Sequence, residues 1–396
     1  MQMTTTAESV PQTAGLPTKS RNLIAACLAH ALHDGYTDGL YAFLPVWQAQ
    51  FGLSYAALAM VRALYYATMG GLQMPANKLL SGLSPRAALV LSTLVAATGF
   101  VIMALPLGFP GLCVGLVLAG AGSSIQHPRG SLLVTETYAD AARRPLGIYN
   151  FSGDLGKATV PAAVALLLPV IAWRPVVGMM ALLGLGVCVA LLALRPQAAP
   201  ASPAMAKPAA QTGVGHSGFA WLMTIGAFDT ATRMGFLLFL PFLIHARGGG
   251  SATVGLALAL LFLGGALGKA TCGWLGERLG VIGAVVATES ATALLIVAAL
   301  FTPLWPTLVL LPLLGIVLNG TSSVLYGTVP ELAPAGDTGR GFALFYTGVI
   351  GSGGLAPIAY GAIADHSSQT IGILAAAATA ALIVPMALRL GRSLAH

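Results

Sequence analysis

Charge is scarce in this chain. Lys and Arg together number 19 and Asp and Glu 12, so 8% of the 396 residues are charged, while 57% are hydrophobic. A soluble domain carries about 25% charged residues, because a core of this size needs a polar skin. That skin is missing. Short alternating strands are missing too: the apolar runs are about twenty residues long and continuous, the length of a helical crossing and twice that of an outer-membrane strand. Cysteine is sparse, and Cys27, Cys113, Cys188 and Cys272 lie singly in apolar segments. None has the paired spacing of a metal or redox site, so they read as small buried hydrophobes. A Gly-x-x-x-x-Gly-Lys-Ser/Thr loop does not occur, which excludes ATP coupling through that motif. No nucleophile–base pair or metal-ligand set stands out, which argues against an intramembrane enzyme. No cofactor or metal is expected.

What is present is a polytopic helical pattern rich in glycine, with 49 Gly residues, as in helices that pack closely inside lipid. With about 20 apolar residues per crossing, twelve spans are expected. They run over 22–47, 54–77, 87–106, 111–135, 146–169 and 174–194, then 218–244, 252–276, 281–302, 306–329, 340–364 and 370–390. Residues 195–217, rich in Pro, Ala, Gly and Ser, form a flexible linker between two six-span halves, 22–194 and 218–390. Residues 1–21 and 391–396 remain as tails, and the first lacks the short apolar core of a secretory signal. Twelve basic residues outside the spans, among them Lys19, Lys78, Arg86, Arg278 and Arg392, fall on one side; Arg174 and Arg247 fall on the other. By the positive-inside rule both tails and the linker are cytoplasmic, in a bacterial-type inner membrane. The net charge of +7 is thus a topology signal and needs no nucleic-acid partner.

The halves repeat. Phe43-Leu44-Pro45 in span 1 recurs as Phe239-Leu240-Pro241 in span 7, and Pro161 in span 5 recurs as Pro357 in span 11, both 196 residues on. Ser123-Ser124 in span 4 has an echo in Ser322-Ser323 of span 10. Two six-helix halves joined by a cytoplasmic linker resemble the major facilitator superfamily, whose substrate sits near mid-membrane between the halves. Its cytoplasmic signature, Gly-x-x-x-Asp-Arg-x-Gly, is matched by Gly273–Gly280 with Glu277 for the Asp, whereas the earlier copy near Lys78 and Arg86 has lost the acid.

A more specific resemblance covers residues 25–170. His30-Ala-Leu-His33-Asp34, Gly122-Ser123-Ser124 with His127-Pro128, and Gly153 and Gly156 ahead of Pro161 resemble the fosmidomycin-resistance family within that superfamily. The resemblance implies a proton-driven exporter of small molecules, the name-giving one a phosphonate. The family's pattern has an acidic residue where this chain has Arg129, and uncharged residues where it has Asp154 and Lys157. Substrate chemistry should be read at those departures.

A charge at bilayer depth costs roughly 2.5 to 3.5 kcal/mol on insertion scales and marks a candidate site. The intramembrane cations are Arg62, Arg129, Lys157, Arg233 and Lys269; the acids are Asp34, Asp38, Asp154, Asp229 and Glu289. Five buried cations suggest a path for an anion. At about 100° per residue, His30, His33, Asp34, Thr37, Asp38 and Tyr41 share one face of span 1. Carboxylates and imidazoles there suit proton uptake and release. Asn150, Asp154 and Lys157 share a face of span 5, the last two as an i, i+3 pair that an anion could compete for; Asp229 and Arg233 form an i, i+4 parallel in span 7. His127 and Arg129 point apart on an ideal helix, although Pro128 between them relaxes that limit. Lys269 reads as a snorkelling cation, and Glu289 has no evident partner in the sequence.

The expectation is therefore an all-α membrane protein of twelve helices in two pseudo-symmetric halves, acting as a monomeric, proton-coupled exporter of a small organic anion. Its proton-coupling residues would be Asp34, His33, Asp154 and Asp229. Its substrate-binding residues would be His30, Asp38, Arg62, His127, Arg129, Asn150, Lys157 and Arg233. An importer or exchanger on the same fold is the alternative, since direction is not written in the sequence.

Overall fold

The computed structural model describes residues 18–194, 216–334 and 338–394. The expected linker and N-terminal tail fall almost entirely outside these residues, and the C-terminal tail does so in part. The chain forms α1 (Thr18–Phe51), α2 (Tyr55–Gly71), α3 (Gln73–Leu79), α4 (Pro85–Ala104), α5 (Gly108–Tyr138), α6 (Arg143–Leu167) and α7 (Trp173–Ala193). The second half comprises α8 (His216–Ala246), α9 (Ser251–Phe301), α10 (Leu304–Leu332), α11 (Thr338–His366) and α12 (Gln369–Leu394). Helices thus extend past the expected span limits at both ends of the chain, to Thr18 and Leu394.

Two departures from the expected spans have local causes. The second span stops at Gly71 and resumes as the seven-residue α3, because Pro75 lacks an N–H and its ring opposes the carbonyl of Gly71 four residues back. The eighth and ninth spans run together as α9, broken only at Gly280, whose φ of 69° lies in the left-handed region that a residue without Cβ tolerates. With α9 divided there and α3 set aside, the described residues hold twelve long helices, consistent with twelve crossings. Nine segments meet a length-and-hydropathy criterion for spanning. Helices α1, α2 and α6 are not among them: α2 is 17 residues long, and α1 and α6 carry His and charged side chains at mid-helix.

Helix neighbours repeat between the halves. In the first, α1 packs on α6, α4 on α5 and α7, and α2 on α5; in the second, α8 packs on α11, and α9 on α10 and α12. Across the halves α2 meets α11 and α6 meets α9. The helices that carry the Phe-Leu-Pro repeat, α1 and α8, are therefore equivalent, as are those that carry Pro161 and Pro357.

The cores show how the halves meet. One large apolar cluster joins Leu40, Phe43, Leu44 and Trp47 of α1 to Phe236, Phe239 and Leu240 of α8, with Leu258 and Leu261 of α9 and Ala376 of α12. It lies at the end of the molecule away from Thr18. Toward the other end the core separates into one cluster per half: Ala25, Leu89, Leu133 and Leu191 in the first, and Leu222, Val285, Leu332, Phe345 and Leu390 in the second. At the joined end Asp365 of α11 accepts hydrogen bonds from the backbone N–H groups of Tyr55 (2.8 Å) and Ala56 (2.9 Å). A carboxylate from one half thus caps α2 of the other, where free N–H groups and the helix dipole favour an anion. Gly361 rests against the same backbone, leaving no room for a Cβ. The halves are closed at this end and part toward the other.

Candidate functional site

Between the halves lies a cavity of about 560 Å³, within the usual range for a small-molecule site. His30, Asp34 and Asp38 of α1, His127 of α5, and Asn150 and Lys157 of α6 line it from the first half; Arg233 of α8, Lys269 of α9, Asn319 and Tyr326 of α10, and Tyr346 of α11 line it from the second. Close helix contact sets this arrangement. Gly156 lies directly against the backbone of Ala31, and Gly153 against the His30 and Asp34 side chains, so α6 can bring Lys157 up to α1 only because both residues lack Cβ.

Asp34 is the hub. Its carboxylate meets Lys157 Nζ at 3.3 Å, His30 Nε2 at 3.2 Å and His127 Nε2 at 3.6 Å. His30 is fixed by a 2.9 Å contact from Nδ1 to the Tyr149 carbonyl and by stacking on the Tyr149 ring. This orients Nε2 toward Asp34 and makes Nδ1 the donor to the carbonyl. The nearby His30, Asp34 and His127 atoms could ligate a metal by spacing alone. The Lys157 ammonium, however, already supplies the positive charge at that carboxylate and would repel a divalent cation.

Lys157 lies 4.0 Å from Asp154, so the expected intrahelical pair is the weaker of its contacts. Asp154 instead receives Lys269 from the other half, whose Nζ donates to both carboxylate oxygens at 2.6 and 2.8 Å. The sequence reading of Lys269 as a snorkelling cation is corrected by this contact: it lines the cavity and bridges the halves. Its partner sits 115 residues away, beyond the reach of same-helix spacing.

Several expected site residues lie off the cavity. His33 is fully buried at the edge of the polar face that turns away from the cavity, with Nδ1 2.7 Å from Ser123 Oγ and Nε2 3.2 Å from Ser92 Oγ. Arg129 donates to the carbonyls of Asn77 (3.0 Å) and Leu83 (3.4 Å), tying the α3–α4 turn to α5. On this helix His127 takes the cavity and Arg129 the far side, as the helical geometry requires even with Pro128 between them. Arg62 occupies a side cleft with Tyr41 and Tyr66, stacked 4.0 Å from the Tyr41 ring centroid and 3.7 Å from Asp38. Asp229 is buried off the cavity and faces Glu289 of α9, the acid for which the sequence offered no partner.

Each cavity cation therefore has an acid beside it: Lys157 with Asp34, Lys269 with Asp154, and Arg233 within electrostatic reach of Asp229 and Asp38. Arg62 completes the set at Asp38. The five buried cations that suggested a path for an anion are thus not free around the cavity: the site is paired, and an incoming anion must exchange partners with a carboxylate.

Comparison with known proteins places this architecture. The family model described as Major Facilitator Superfamily matches residues 26–228. The Fosmidomycin resistance protein of Escherichia coli (strain K12) is 24% identical over 388 residues, covering 93% of each chain. Among solved structures, a bacterial homologue of the human lysosomal transporter Spinster, inward-facing and unoccupied, superposes with a TM-score of 0.76 at 16% identity, covering 96% of this chain and 98% of its own. A POT family transporter in complex with a thioalcohol-conjugated peptide gives a TM-score of 0.79 at 13% identity, covering 95% and 98%.

Proposed function

The chain belongs to the Major Facilitator Superfamily, and from that premise we propose that it is a proton-coupled secondary active transporter exporting a small organic anion, phosphonate-like at its charged end, by alternating access. The observation that carries this reading is the Lys157–Asp34 contact at 3.3 Å, a cation and an acid facing one cavity where substrate and proton can compete. The resemblance to a drug-resistance protein over nearly the whole chain supports export.

In this mechanism the anionic end of the substrate takes Lys157, Arg233 and Lys269, which reach the cavity from both halves. Arg233's planar fork suits phosphonate or carboxylate oxygens. A hydrogen-bond donor on the same substrate takes Asp34. Protonation removes the negative charge that makes Asp34 a strong acceptor, so proton entry at Asp34 releases substrate and substrate binding releases the proton. His30 and His127, whose Nε2 atoms both face Asp34, pass the proton between carboxylate and cavity water. With both termini cytoplasmic, the cavity opens to the cytoplasm and the Asp365 contact seals the far side. In the opposite state that seal opens and the two terminal-end cores close together. The halves would be 22–194 and 218–390, acting as a monomer in a bacterial-type inner membrane.

The same Lys157–Asp34 contact is compatible with a second reading, uptake. A substrate without a donor would only draw Lys157 away from Asp34, and a carboxylate stripped of its countercharge takes up a proton. Anion and proton would then bind together and travel together. Both readings are tested in proteoliposomes with an imposed pH gradient and a panel of small phosphonates, carboxylates and phosphate esters. Accumulation driven by the gradient is expected for one chemical class, and equal transport of neutral or cationic compounds would contradict the anion site.

A further inference from the structure

We propose that Asp229 and Glu289 share a single proton and form a second proton-binding site of the transport cycle, in the half opposite Asp34. This rests on the proton-coupled reading and adds a residue, Glu289, to it. The two carboxyls are 2% and 1% exposed and face one another where α8 packs on α9, close enough to share a hydrogen bond. A hydrogen bond between two carboxyl groups requires one proton, because two carboxylates have only acceptors to offer.

The pseudo-symmetry of the fold argues that these acids are not there to pack helices. The 196-residue offset that relates Pro161 to Pro357 takes His33 to Asp229, Ser92 to Thr288 and Thr93 to Glu289. In the first half this junction of three helices is built from neutral hydroxyls around His33: Ser92 and Thr93 of α4 and Ser123 of α5. The equivalent junction in the second half holds Thr288 and Glu289 of α9, Asp229 of α8, and Thr321 of α10, whose hydroxyl donates to Thr288 at 2.9 Å. The same three-helix contact is thus made without carboxylates in one half and with two in the other.

The carboxyls are also not saturated. Asp229 Oδ2 and Glu289 Oε1 lack hydrogen-bond partners, and so does the Thr292 hydroxyl, which is 1% exposed and one turn beyond Glu289 on the same face of α9. The surroundings offer one cation. Arg233 of α8 faces Asp229 and Glu289 on one side and lines the cavity on the other, where Asp38 of α1 and Tyr66 of α2 also act on it. Cys272 of α9 and Tyr326 of α10 also lie near the pair. Helix α12 has its ionisable side chains, Arg389 and Arg392, in its last two turns, and Tyr346 of α11 packs against Tyr326. Arg129 is held apart on the carbonyls of Asn77 and Leu83, and among the groups around the cavity one shared proton balances the charge: Asp34, Asp38, Asp154 and the singly charged pair then match Arg62, Lys157, Arg233 and Lys269. A fully ionised pair would leave a negative charge uncompensated at bilayer depth, which is costly.

Arg233 links the pair to transport. While Arg233 faces Asp229, the shared O–H bond can break, the electron pair staying on the carboxylate and the proton passing to cavity water. A substrate anion that draws Arg233 toward the cavity changes the countercharge at the pair and with it the pair's hold on the proton.

The test is infrared difference spectroscopy of the purified full-length protein in lipid nanodiscs between two pH values, with no ligand added. We expect a protonated-carboxyl C=O band at neutral pH that fades as pH rises, disappears in Glu289→Gln, shifts or disappears in Asp229→Asn, and survives in Asp34→Asn. No such band, a band indifferent to both Glu289→Gln and Asp229→Asn, or one that persists until the protein unfolds would overturn the proposal; the last outcome would make the pair a fixed structural hydrogen bond. The measurement needs neither substrate nor gradient. It can therefore fail while gradient-driven transport succeeds, or succeed while transport proves uncoupled.

Discussion

Lys269 holds both carboxylate oxygens of Asp154, at 2.6 and 2.8 Å, across the boundary between the halves. It is the shortest ion pair among the described residues and one of the few polar contacts that span the cavity. Removing one partner of such a pair strands the other charge, whereas exchanging both keeps it balanced. Lys269→Met is therefore expected to lower transport by on the order of tenfold, about 1.4 kcal/mol, at normal membrane abundance. Lys269→Asp combined with Asp154→Lys should recover part of it in a vesicle uptake assay. Recovery no better than either single variant would make the contact incidental.

The paired cations make Lys157 the sharpest test of anion binding. Lys157→Met should weaken binding of a phosphonate or carboxylate substrate by at least about tenfold, on the order of 1.4 kcal/mol, and Lys157→Arg should retain much of it. Equilibrium binding to purified protein checks this, and normal affinity in Lys157→Met would remove the lysine from the site.

Arg129 should behave in the opposite way. Its guanidinium is engaged by the carbonyls of Asn77 and Leu83, so Arg129→Ala is expected to cost about 1 to 3 kcal/mol of stability through lost charged hydrogen bonds. Substrate affinity should stay within about threefold. A lowered melting temperature with intact binding is the expected signature; unchanged stability with lost binding would return Arg129 to the cavity.

Much of this was legible in the chain, for identifiable reasons. The twelve long helices follow from twenty-residue apolar runs, and the relation between halves from the Phe-Leu-Pro and Pro161–Pro357 repeats. Asp34, Lys157, His30 and His127 announced themselves because a charge or imidazole at mid-helix has few uses in lipid. What the sequence could not carry is the partner of each charge. Helical spacing pairs Lys157 with Asp154, but the helices bring Asp34 nearer to Lys157 and Lys269 nearer to Asp154. Glu289 looked solitary because its partner is on another helix, 60 residues away. The shared face on α1 misled for His33, since a polar stripe on a central helix meets the cavity on one edge and the hydroxyls of α4 and α5 on the other. The 196-residue offset was in the sequence, and applied to His33 and Thr93 it would have pointed to Asp229 and Glu289.

Orientation has a simple check. Ser81→Cys, in the turn after α3, and Ser367→Cys, between α11 and α12, are both exposed and lie at opposite ends of the molecule. A membrane-impermeant thiol reagent added to intact cells is expected to label Ser367→Cys and spare Ser81→Cys. The reverse pattern would place the open end of the cavity outside, and labelling of both from one side would contradict the number of crossings between them.

The central claim, that proton and anion are coupled at Asp34, is tested most directly by proton flux. Proteoliposomes holding a trapped pH indicator would be given a gradient of each phosphonate, carboxylate and phosphate ester in turn, with no pH gradient imposed. The account predicts a proton movement opposite to the transported anion, abolished in Asp34→Asn while downhill anion exchange continues. Proton movement in the same direction would select the uptake reading. Anion transport with no proton movement, or full coupling in Asp34→Asn, would contradict the account.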